Sequence, residues 1–392
     1  MRKITFYDTT LRDGEQTIGV NFTTDEKVRI AQALEAYGVS AIEAGFPAAS
    51  NKDFDAVSQI ARTIKQSKIV GLARLVRRDI DAAIEATKDA AHRGIHIFIA
   101  TSPIHREAKL HMTKAEVIEK IKADVTYTKQ FIDDVIFSPE DATRTEPDFL
   151  IEAIQTAIDA GATMINIPDT VGYSTPDEYG ALFDFFQKEI PNYDQIGWST
   201  HTHNDLGMAN ANALAGVAHG ATEIQGTING MGERAGNVDL IEAAVALKVR
   251  QDKFQVETDI DLAQSMKVAT AISQMAEMPI QPNKAVTGRN AFAHESGIHQ
   301  DGYLKNPATY EILSPDMVGA HASLPLGKLS GSHAVMSKLS ELGYEVSKCD
   351  MIHIFPKFKA IAEEHSLVSD EQLCDMMRQF HVEKAVDSQW VM

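Results

Sequence analysis

Two histidines separated by one residue, His201 and His203, end a short apolar run that starts at Ile196. If this run is a β-strand, side chains two residues apart project from the same face, so the two imidazoles lie side by side. Two adjacent imidazoles form half of a site for a metal such as Zn, Mn, Fe or Co. Surface or core histidines can show the same spacing, so the spacing alone does not decide.

The histidine run is one of eight apolar runs, each followed by a segment of helical periodicity. The runs begin at Ile4, Ala41, Ile69, Ile95, Val135, Met164, Ile196 and Glu223. Eight strand–helix units in about 250 residues are the count and length of a (β/α)8 TIM barrel. A doubly wound sheet is the alternative, but it usually has fewer units, and no Gly-x-Gly-x-x-Gly follows the first run. The sequence therefore predicts an α/β protein, a TIM barrel followed by a small, mainly helical C-terminal extension.

Catalytic residues of such barrels lie at the C-terminal ends of the strands. Polar, acidic or glycine-rich residues follow five of the predicted strands, at 8–16, 43–47, 138–142, 166–172 and 229–237. Helix capping explains Asp and Thr at such positions, but it does not require Arg, His, Glu and Asn at one mouth. We therefore expect an active site there.

Composition excludes several classes of protein. The 392 residues are 44% hydrophobic and 23% charged, as in a globular protein, and the net charge of -18 disfavours nucleic acid or an anionic membrane as partner. Two cysteines, Cys349 and Cys374, form no Cys-x-x-Cys pair, which argues against a disulfide framework and thiolate-bound zinc. Since no apolar leader follows Met1, the expected location is cytoplasmic.

The strand–helix rhythm stops near Ile272. We expect the barrel to span residues 1–272, a linker and a first subdomain to span 273–323, and a helical second subdomain to span 324–392. Helical patterns cover 332–343, 350–364 and 370–380 within the last of these.

The motifs at the predicted mouth resemble those of the DRE-TIM metallolyase superfamily and, within it, of the 2-isopropylmalate synthase family. The most specific are LRDGEQ at 11–16 and the continuous stretch HTHNDLGMANANALAGVAHGATEIQGTINGMGERAGN at 201–237. FSPEDATR, PDTVGY, AHESGIHQDG and LPLGKLSG support the same resemblance, which covers residues 1 to about 345.

The resemblance implies a divalent metal held by Asp13, His201 and His203, with Asn237 nearby. Mn²⁺ is the first choice, Mg²⁺, Zn²⁺ and Co²⁺ are alternatives, and a monovalent cation such as K⁺ is a further candidate. Two neutral imidazoles and one carboxylate leave open positions on the metal for a bidentate 2-oxo acid.

The resemblance also implies a pocket for the oxo acid, in which Arg12 holds the ketone oxygen and Thr170 binds the carboxylate. Ser138, Asn166 and Pro168 line the part for the side chain. The full set of implied substrate-binding residues is Arg12, Ser138, Asn166, Pro168, Thr170 and His201.

The implied reaction is a Claisen-type condensation of acetyl-CoA with 3-methyl-2-oxobutanoate to 2-isopropylmalate and CoA, the first committed step to leucine. It requires a base, a polarised ketone and a water that releases CoA. The metal and Arg12 polarise the ketone, and the candidate acid–base residues are Glu140, His299 and Tyr310. Which of these three takes the proton stays open, because the sequence does not show how pKa values are tuned.

The family further implies an interlocked homodimer, in which the segment with His299 and Tyr310 covers the barrel mouth of the partner subunit. CoA would lie across the mouth near the glycine-rich loop at 230–237, where bare backbone permits close approach. Roughly 60 residues follow the LPLGKLSG motif, too few for a further regulatory domain. We therefore expect a short form that lacks a leucine-binding domain and is insensitive to leucine.

Sister enzymes that use other 2-oxo acids are the nearest alternatives: homocitrate, citramalate or methylthioalkylmalate synthase. A homocitrate synthase needs a cation for a distal carboxylate, and His105 and Arg74 are candidates for it. A lyase of a 3-hydroxy-3-methylglutaryl thioester fits residues 299–301 less well. An inactive metabolite sensor would have lost the residues implied to bind metal.

Overall fold

The computed structural model describes residues 1–380, which fall into two compact units. The first unit spans Met1–Ile280, and the second begins at Gln281. Residues 381–392, which the sequence places in the second helical subdomain, lie outside the described residues. Within the described part, no helix has the length and apolarity needed to cross a membrane.

Eight parallel strands form a closed barrel in the first unit. They are β1 (Thr5–Asp8), β2 (Ala41–Gly45), β3 (Lys68–Arg74), β4 (Arg93–Ala100), β5 (Val135–Glu140), β6 (Met164–Asp169), β7 (Gly197–Thr202) and β8 (Glu223–Gly226). Each strand pairs with the next, and β8 pairs with β1 to close the barrel. The prediction of a TIM barrel is therefore confirmed.

A helix follows each strand. These helices are α1 (Thr24–Tyr37), α2 (Asn51–Thr63), α3 (Arg77–Ala86), α4 (Lys114–Lys129), α5 (Pro147–Asp159), α6 (Pro176–Glu189), α7 (Ala209–Ala218) and α8 (Leu240–Val249), and α9 (Ser265–Met275) completes the unit. Local sequence sets several of these starts: Thr23 and Glu26 form a capping box before α1, and proline opens α5 and α6.

Short elements complete the first unit. They are the helical turns Gly14–Gln16, Pro103–His105, Arg106–Leu110, Ala142–Arg144, Tyr193–Gln195, Ile228–Gly230, Gln251–Phe254 and Leu262–Gln264, and a parallel pair of two-residue strands, Arg2–Lys3 with Val256–Glu257. Helix α9 continues past residue 272, where the sequence analysis placed the end of the barrel domain. That boundary and the division at 323 stay predictions.

The barrel interior changes from apolar to polar along the strands. Near the strand starts, Tyr7, Ala41, Val70 and Ile136 form a buried cluster, against which Met164 packs. Because side chains two residues apart share a face, the next inward positions follow from these residues. On β2, β5 and β6 they are Glu43, Ser138 and Asn166, all buried. The apolar layer thus supports a polar layer on which the site is built.

Two strands extend further than the sequence analysis placed them. The apolar runs end at Phe137 and Ile167, but Ser138 pairs with Phe98 and Pro168 with His201. The ladder continues because the neighbouring strands supply partners, which an apolar run in one segment does not reveal. Ser138, Glu140 and Pro168 are therefore strand residues rather than loop residues.

The second unit is helical, as the sequence predicts for the extension. It contains α10 (Gly297–Lys305), α11 (Ser332–Glu341), α12 (Met351–Glu364) and α13 (Asp370–Gln379), with turns at Pro307–Thr309 and Pro315–Val318. Its core includes Val335, Leu339, Phe358, Leu373 and Met377, which are fully buried. These residues come from α11, α12 and α13, so the three helices share one core. Burying each such side chain stabilises the fold by about 1.5–3 kcal/mol.

Candidate active site

A cavity of about 250 Å³ opens at the C-terminal ends of the barrel strands. Its walls are Arg12, Asp13, Gln16, Leu72, His96, Phe98, Ser138, Glu140, Asn166, Pro168, Thr170, His201, His203, Gln225, Glu233 and Arg234. The set includes all the barrel residues that the resemblance implies for catalysis and substrate binding. A cavity of this size fits a small organic acid, with the remainder of a larger substrate outside.

Three side chains at one side of the cavity form a candidate metal site. Nε2 of His201 lies 3.1 Å from Nε2 of His203, and these atoms lie 3.7 and 3.9 Å from Oδ2 of Asp13. One ion at the usual metal–ligand distances of about 2.0–2.2 Å can contact all three atoms. All three residues are buried. The donor set, two imidazoles and a carboxylate, therefore fits a divalent transition metal.

Burial and neighbouring charge put these side chains in the protonation forms that bind metal. Burial and the adjacent His203 lower the pKa of His201 to about 3, and burial also lowers the pKa of His203. Burial alone would raise the pKa of Asp13, but Arg12 and the two histidines outweigh it and hold the pKa at about 2. At neutral pH the site offers two neutral imidazoles and a carboxylate, the forms that coordinate metals.

Asn237 lies directly behind the cluster. Its Nδ2 donates to Oδ1 of Asp13 at 3.0 Å and to the carbonyl of Met231 at 3.1 Å. Its buried Oδ1 has no hydrogen-bond partner among the described residues. Gly232 has φ of +149°, and a Cβ there would collide with the Asn237 amide. Glycine at 232 thus lets Asn237 approach Asp13.

Arg12 joins the metal cluster to a buried carboxylate. Its Nε donates to Oε2 of Glu43 at 2.5 Å, and its Nη1 donates to Oδ2 of Asp13 at 2.8 Å. Glu43 is fully buried and also accepts hydrogen bonds from Tyr7 (2.9 Å) and Thr9 (2.7 Å). Burial would raise the pKa of Glu43, but Arg12 and His96, which both contact Glu43, outweigh burial and hold that pKa well below its usual range. A fixed carboxylate therefore orients the Arg12 guanidinium.

A chain of hydrogen bonds crosses the cavity floor from Glu43. His96 Nδ1 lies 2.6 Å from Glu43 Oε1, and His96 Nε2 lies 2.6 Å from Ser138 Oγ. Asn166 Nδ2 donates to Ser138 Oγ and to Gln225 Oε1, both at 3.0 Å. The sequence analysis gave no role to Glu43, His96 or Gln225. For His96 the available signal was a polar residue in the otherwise apolar run 95–99.

Thr170 presents its hydroxyl group at the mouth of the cavity. Its Oγ1 accepts the backbone N–H of Asp141 at 3.0 Å, which leaves the hydroxyl hydrogen available as a donor. Arg234 donates to the Thr170 carbonyl at 2.8 Å and holds Asp205 with two bonds of 2.7 and 2.8 Å. Arg234 has a left-handed φ of +56°. This single side chain therefore links the loops after β6, β7 and β8.

Glu140 ends β5 at the rim of the cavity. Lys109 Nζ donates to both of its carboxylate oxygens, at 2.7 and 3.0 Å. Lys109 lies in the turn Arg106–Leu110, and sequence reasoning missed it because nothing local links it to β5. The Lys109 ammonium thus fixes the carboxylate orientation of this candidate base.

His299 and Tyr310 belong to the second unit. Their ring centroids lie 4.2 Å apart, with His299 on α10 and Tyr310 just after the turn Pro307–Thr309. A Cβ at Gly302 would lie 2.5 Å from the Tyr310 ring, so glycine one turn after His299 permits the ring to pack on the helix. His294 lies beside this pair and 3.3 Å from Glu311 Oε1.

The two cations considered for a distal carboxylate are already paired. His105 Nδ1 lies 3.0 Å from Asp141 Oδ2, and Arg74 Nε donates to Asp79 at 2.6 Å. Neither is among the described residues that line the cavity. Among the described residues that line the cavity, the cationic side chains are Arg12 and Arg234.

The fold and the site define a (β/α)8-barrel protein with a buried Asp-His-His cluster at the strand ends. A family described as HMGL-like matches residues 3–272, and one described as homocitrate synthase post-HMGL domain-like matches residues 286–366. The 2-isopropylmalate synthase of Listeria innocua is 55% identical over 374 residues, which are 95% of this chain and 73% of that protein. That of Streptococcus gallolyticus is 54% identical and covers 95% and 72%. The chain belongs to the HMGL-like family and, within it, to the 2-isopropylmalate synthase family.

Solved structures show the same fold at low sequence identity. The HMG-CoA lyase of Bacillus subtilis has a TM-score of 0.59 and 19% identity, covering 74% of this chain and 97% of the lyase. The carboxyl transferase domain of Rhizobium etli pyruvate carboxylase has a TM-score of 0.53 and 14% identity, covering 73% of this chain and 49% of that one. These similarities support the barrel and carry no argument about the reaction.

Proposed function

We propose that this protein condenses acetyl-CoA with 3-methyl-2-oxobutanoate to give 2-isopropylmalate and CoA, the first committed step of leucine biosynthesis. The observation that carries the proposal is the Asp13–His201–His203 cluster, which lies beside the buried guanidinium of Arg12 in the cavity of a 2-isopropylmalate synthase family member. A 2-oxo acid has two adjacent oxygen functions, and this arrangement offers a metal site and a cation to bind them.

Different residues of the cavity bind the ketone, the carboxylate and the side chain of the oxo acid. Arg12 faces the position of the ketone oxygen, where a fixed cation stabilises the negative charge that develops in the transition state. The free hydroxyl hydrogen of Thr170 donates to the carboxylate. Ser138, Asn166 and Pro168 line the part of the cavity for the branched side chain.

Asp13, His201 and His203 hold a divalent cation, for which we propose Mn²⁺. When bound, this cation polarises the ketone as a Lewis acid. Asn237 orients Asp13 through its Nδ2, and its unpartnered Oδ1 makes it the fourth candidate ligand. K⁺ stays a further candidate cofactor.

The condensation needs one proton removed from the thioester methyl group and one delivered to the former ketone oxygen. The methyl carbon then bonds to the ketone carbon, and water cleaves the thioester to release CoA and a carboxylate. Glu140 is a candidate base, because its carboxylate lies at the rim of the cavity. His299 and Tyr310 are the other candidates, because an imidazole and a phenol can both transfer protons and their ring centroids lie 4.2 Å apart.

The assignment of His299 and Tyr310 rests on a homodimer in which they act at the barrel mouth of the partner subunit. Mixing the inactive variants His299→Ala and His203→Ala should then restore activity, because each mixed dimer has one site with both residues intact. Random exchange of equal amounts should yield about one quarter of the wild-type activity. Absence of recovery after subunit exchange is verified by mass spectrometry would contradict action in the partner subunit.

The reaction itself is tested by measuring CoA release from acetyl-CoA with a panel of 2-oxo acids. We expect the highest kcat/KM with 3-methyl-2-oxobutanoate, and at least about tenfold lower values with pyruvate and 2-oxoglutarate. Analysis of the product by mass spectrometry should give 2-isopropylmalate. A preference for 2-oxoglutarate would assign homocitrate synthase activity, and a preference for pyruvate would assign citramalate synthase activity.

A further inference from the structure

Gln225, on β8, has no role in the proposed function, although its side chain lines the cavity. It is 1% exposed, and its Nε2 has no hydrogen-bond partner among the described residues. The strand register places Gln225 opposite His201 on β7, at the level of the candidate metal site. A buried amide donor without an acceptor is costly, and its presence in a ligand cavity points to an acceptor on the ligand.

The hydrogen-bond chain on the cavity floor determines which end of the Gln225 amide is free. The Glu43 carboxylate accepts from Tyr7, Thr9 and Arg12, and it takes its next hydrogen from His96 Nδ1. His96 Nε2 lies 2.6 Å from Ser138 Oγ, which continues the chain from Glu43 to Ser138.

The remaining bonds give the orientation of the two amides. Ser138 Oγ accepts from Asn166 Nδ2 at 3.0 Å. The second hydrogen of the same Nδ2 goes to Gln225 Oε1. Gln225 Oε1 is therefore an acceptor already in use, and both hydrogens of Gln225 Nε2 are available.

We infer that Gln225 is a further substrate-binding residue, whose Nε2 donates a hydrogen bond to an oxygen of the bound 2-oxo acid. The inference rests on the proposed function for the class of ligand. The oxo acid supplies the acceptor, because its ketone and carboxylate oxygens are the polar groups that the neighbouring residues Arg12 and Thr170 also face. Gln225 would thus complete the set of donors around these oxygens.

Two variants separate the donor from the acceptor of Gln225. Gln225→Glu keeps an oxygen acceptor for Asn166 but, when ionised, has no donor. Gln225→Met removes both without adding charge and keeps a similar volume. Both should raise KM for 3-methyl-2-oxobutanoate about tenfold to a hundredfold at pH 8, the usual effect of losing a hydrogen bond to a charged ligand. The metal content of Gln225→Met, which adds no charge, should stay at the wild-type value.

The control is Gln155→Met, the same substitution on α5, where Gln155 donates to Asp159 instead of facing the cavity. It should leave KM unchanged. A KM within threefold of wild type in either Gln225 variant would overturn the inference. An increase in Gln225→Glu alone would also overturn it, because charge repulsion would then be the cause.

Binding of 3-methyl-2-oxobutanoate to the Mn²⁺-loaded protein, measured by calorimetry, distinguishes this inference from the proposed function. If the wild type binds the acid but releases no CoA, the proposed reaction is wrong and the role of Gln225 is read from the affinities. The dissociation constant should then rise by the same factor in both Gln225 variants. Equal affinities of wild type and variants would refute the role of Gln225.

Discussion

Replacing His203 with alanine is expected to remove most of the bound divalent metal and to lower CoA release at least about a thousandfold. Metal polarisation of a ketone contributes several kcal/mol to the transition state, and each 1.36 kcal/mol corresponds to about tenfold in rate. The variant retains Asp13 and His201, which together offer two ligands instead of three. Two ligands hold a divalent ion too weakly to survive purification.

The barrel should stay folded in His203→Ala. The side chain lies among polar neighbours at the end of β7, outside the apolar core formed by residues such as Phe137, Ile165 and Trp198. Far-ultraviolet circular dichroism should therefore match that of the wild type.

Metal content is measured by elemental analysis after dialysis and reloading with Mn²⁺. His219→Ala is the matched control, because His219 pairs with Asp184 outside the cavity and its side chain is 42% exposed. This variant should bind metal and release CoA like the wild type. Full metal stoichiometry in His203→Ala would show that the ion binds elsewhere.

The elements of the barrel were predictable because their signals are local. Parallel strands buried on both faces read as continuous apolar runs, and eight such runs alternate with helical periodicity. The helical periodicity of the sequence covers residues 24–37, which are the residues of α1, because a threonine cap starts the helix and Gly38 ends it in a left-handed conformation. The periodicity of the next two cases starts at Gly207 and Val238, whereas α7 and α8 begin two residues later, at Ala209 and Leu240.

The late starts of α7 and α8 reflect capping contacts that close only in the folded chain. Asn204 accepts the backbone N–H of Ala209, and Asp239 accepts that of Ile241. Helical periodicity begins at the first residue whose polarity fits the helical pattern. The helix itself begins where side chains accept the free backbone N–H groups of its first turn.

The site was predictable in part, for a related reason. Strand periodicity placed His201 and His203 on one face, and the structure separates their Nε2 atoms by 3.1 Å. The contacts of Glu43 could not be read from the chain, because its partner His96 is 53 residues away and Arg12 is 31 residues away. Periodicity says that a side chain points inward, but not which inward side chain it meets across a barrel.

The roles given to Asn237, Glu140, His299 and Tyr310 stay predictions, and mixing His299→Ala with His203→Ala tests the role of His299. Lys109 and Gln225 show the limit most clearly. Each contacts a predicted site residue, yet the residue types around Lys109 and Gln225 in the sequence do not indicate that contact. Charge and hydrogen-bond complementarity across the cavity is a property of the closed barrel.

Replacing Glu43 with glutamine is expected to destabilise the protein by about 3–5 kcal/mol, the usual cost of removing one partner of a buried ion pair. Glutamine fills the same volume, so no cavity forms and the effect is electrostatic. The substitution removes the negative charge that pairs with the Arg12 guanidinium at 2.5 Å, and it turns one of the two accepting oxygens into an NH2 group that faces other donors. Asp13 is then the one carboxylate paired with Arg12 among the described residues.

Activity should fall as well, by about a hundredfold, because a displacement of about 1 Å in a positioned catalytic group costs that much. Stability is measured by urea unfolding, with the slope of free energy against urea compared to confirm that the same surface is exposed. Asp89→Asn is the control, since it removes a carboxylate from an exposed ion pair with Arg62 and should leave the midpoint unchanged. If Glu43→Gln unfolds at the wild-type midpoint and keeps its activity, Glu43 does not orient Arg12, and the guanidinium is held by Asp13 alone.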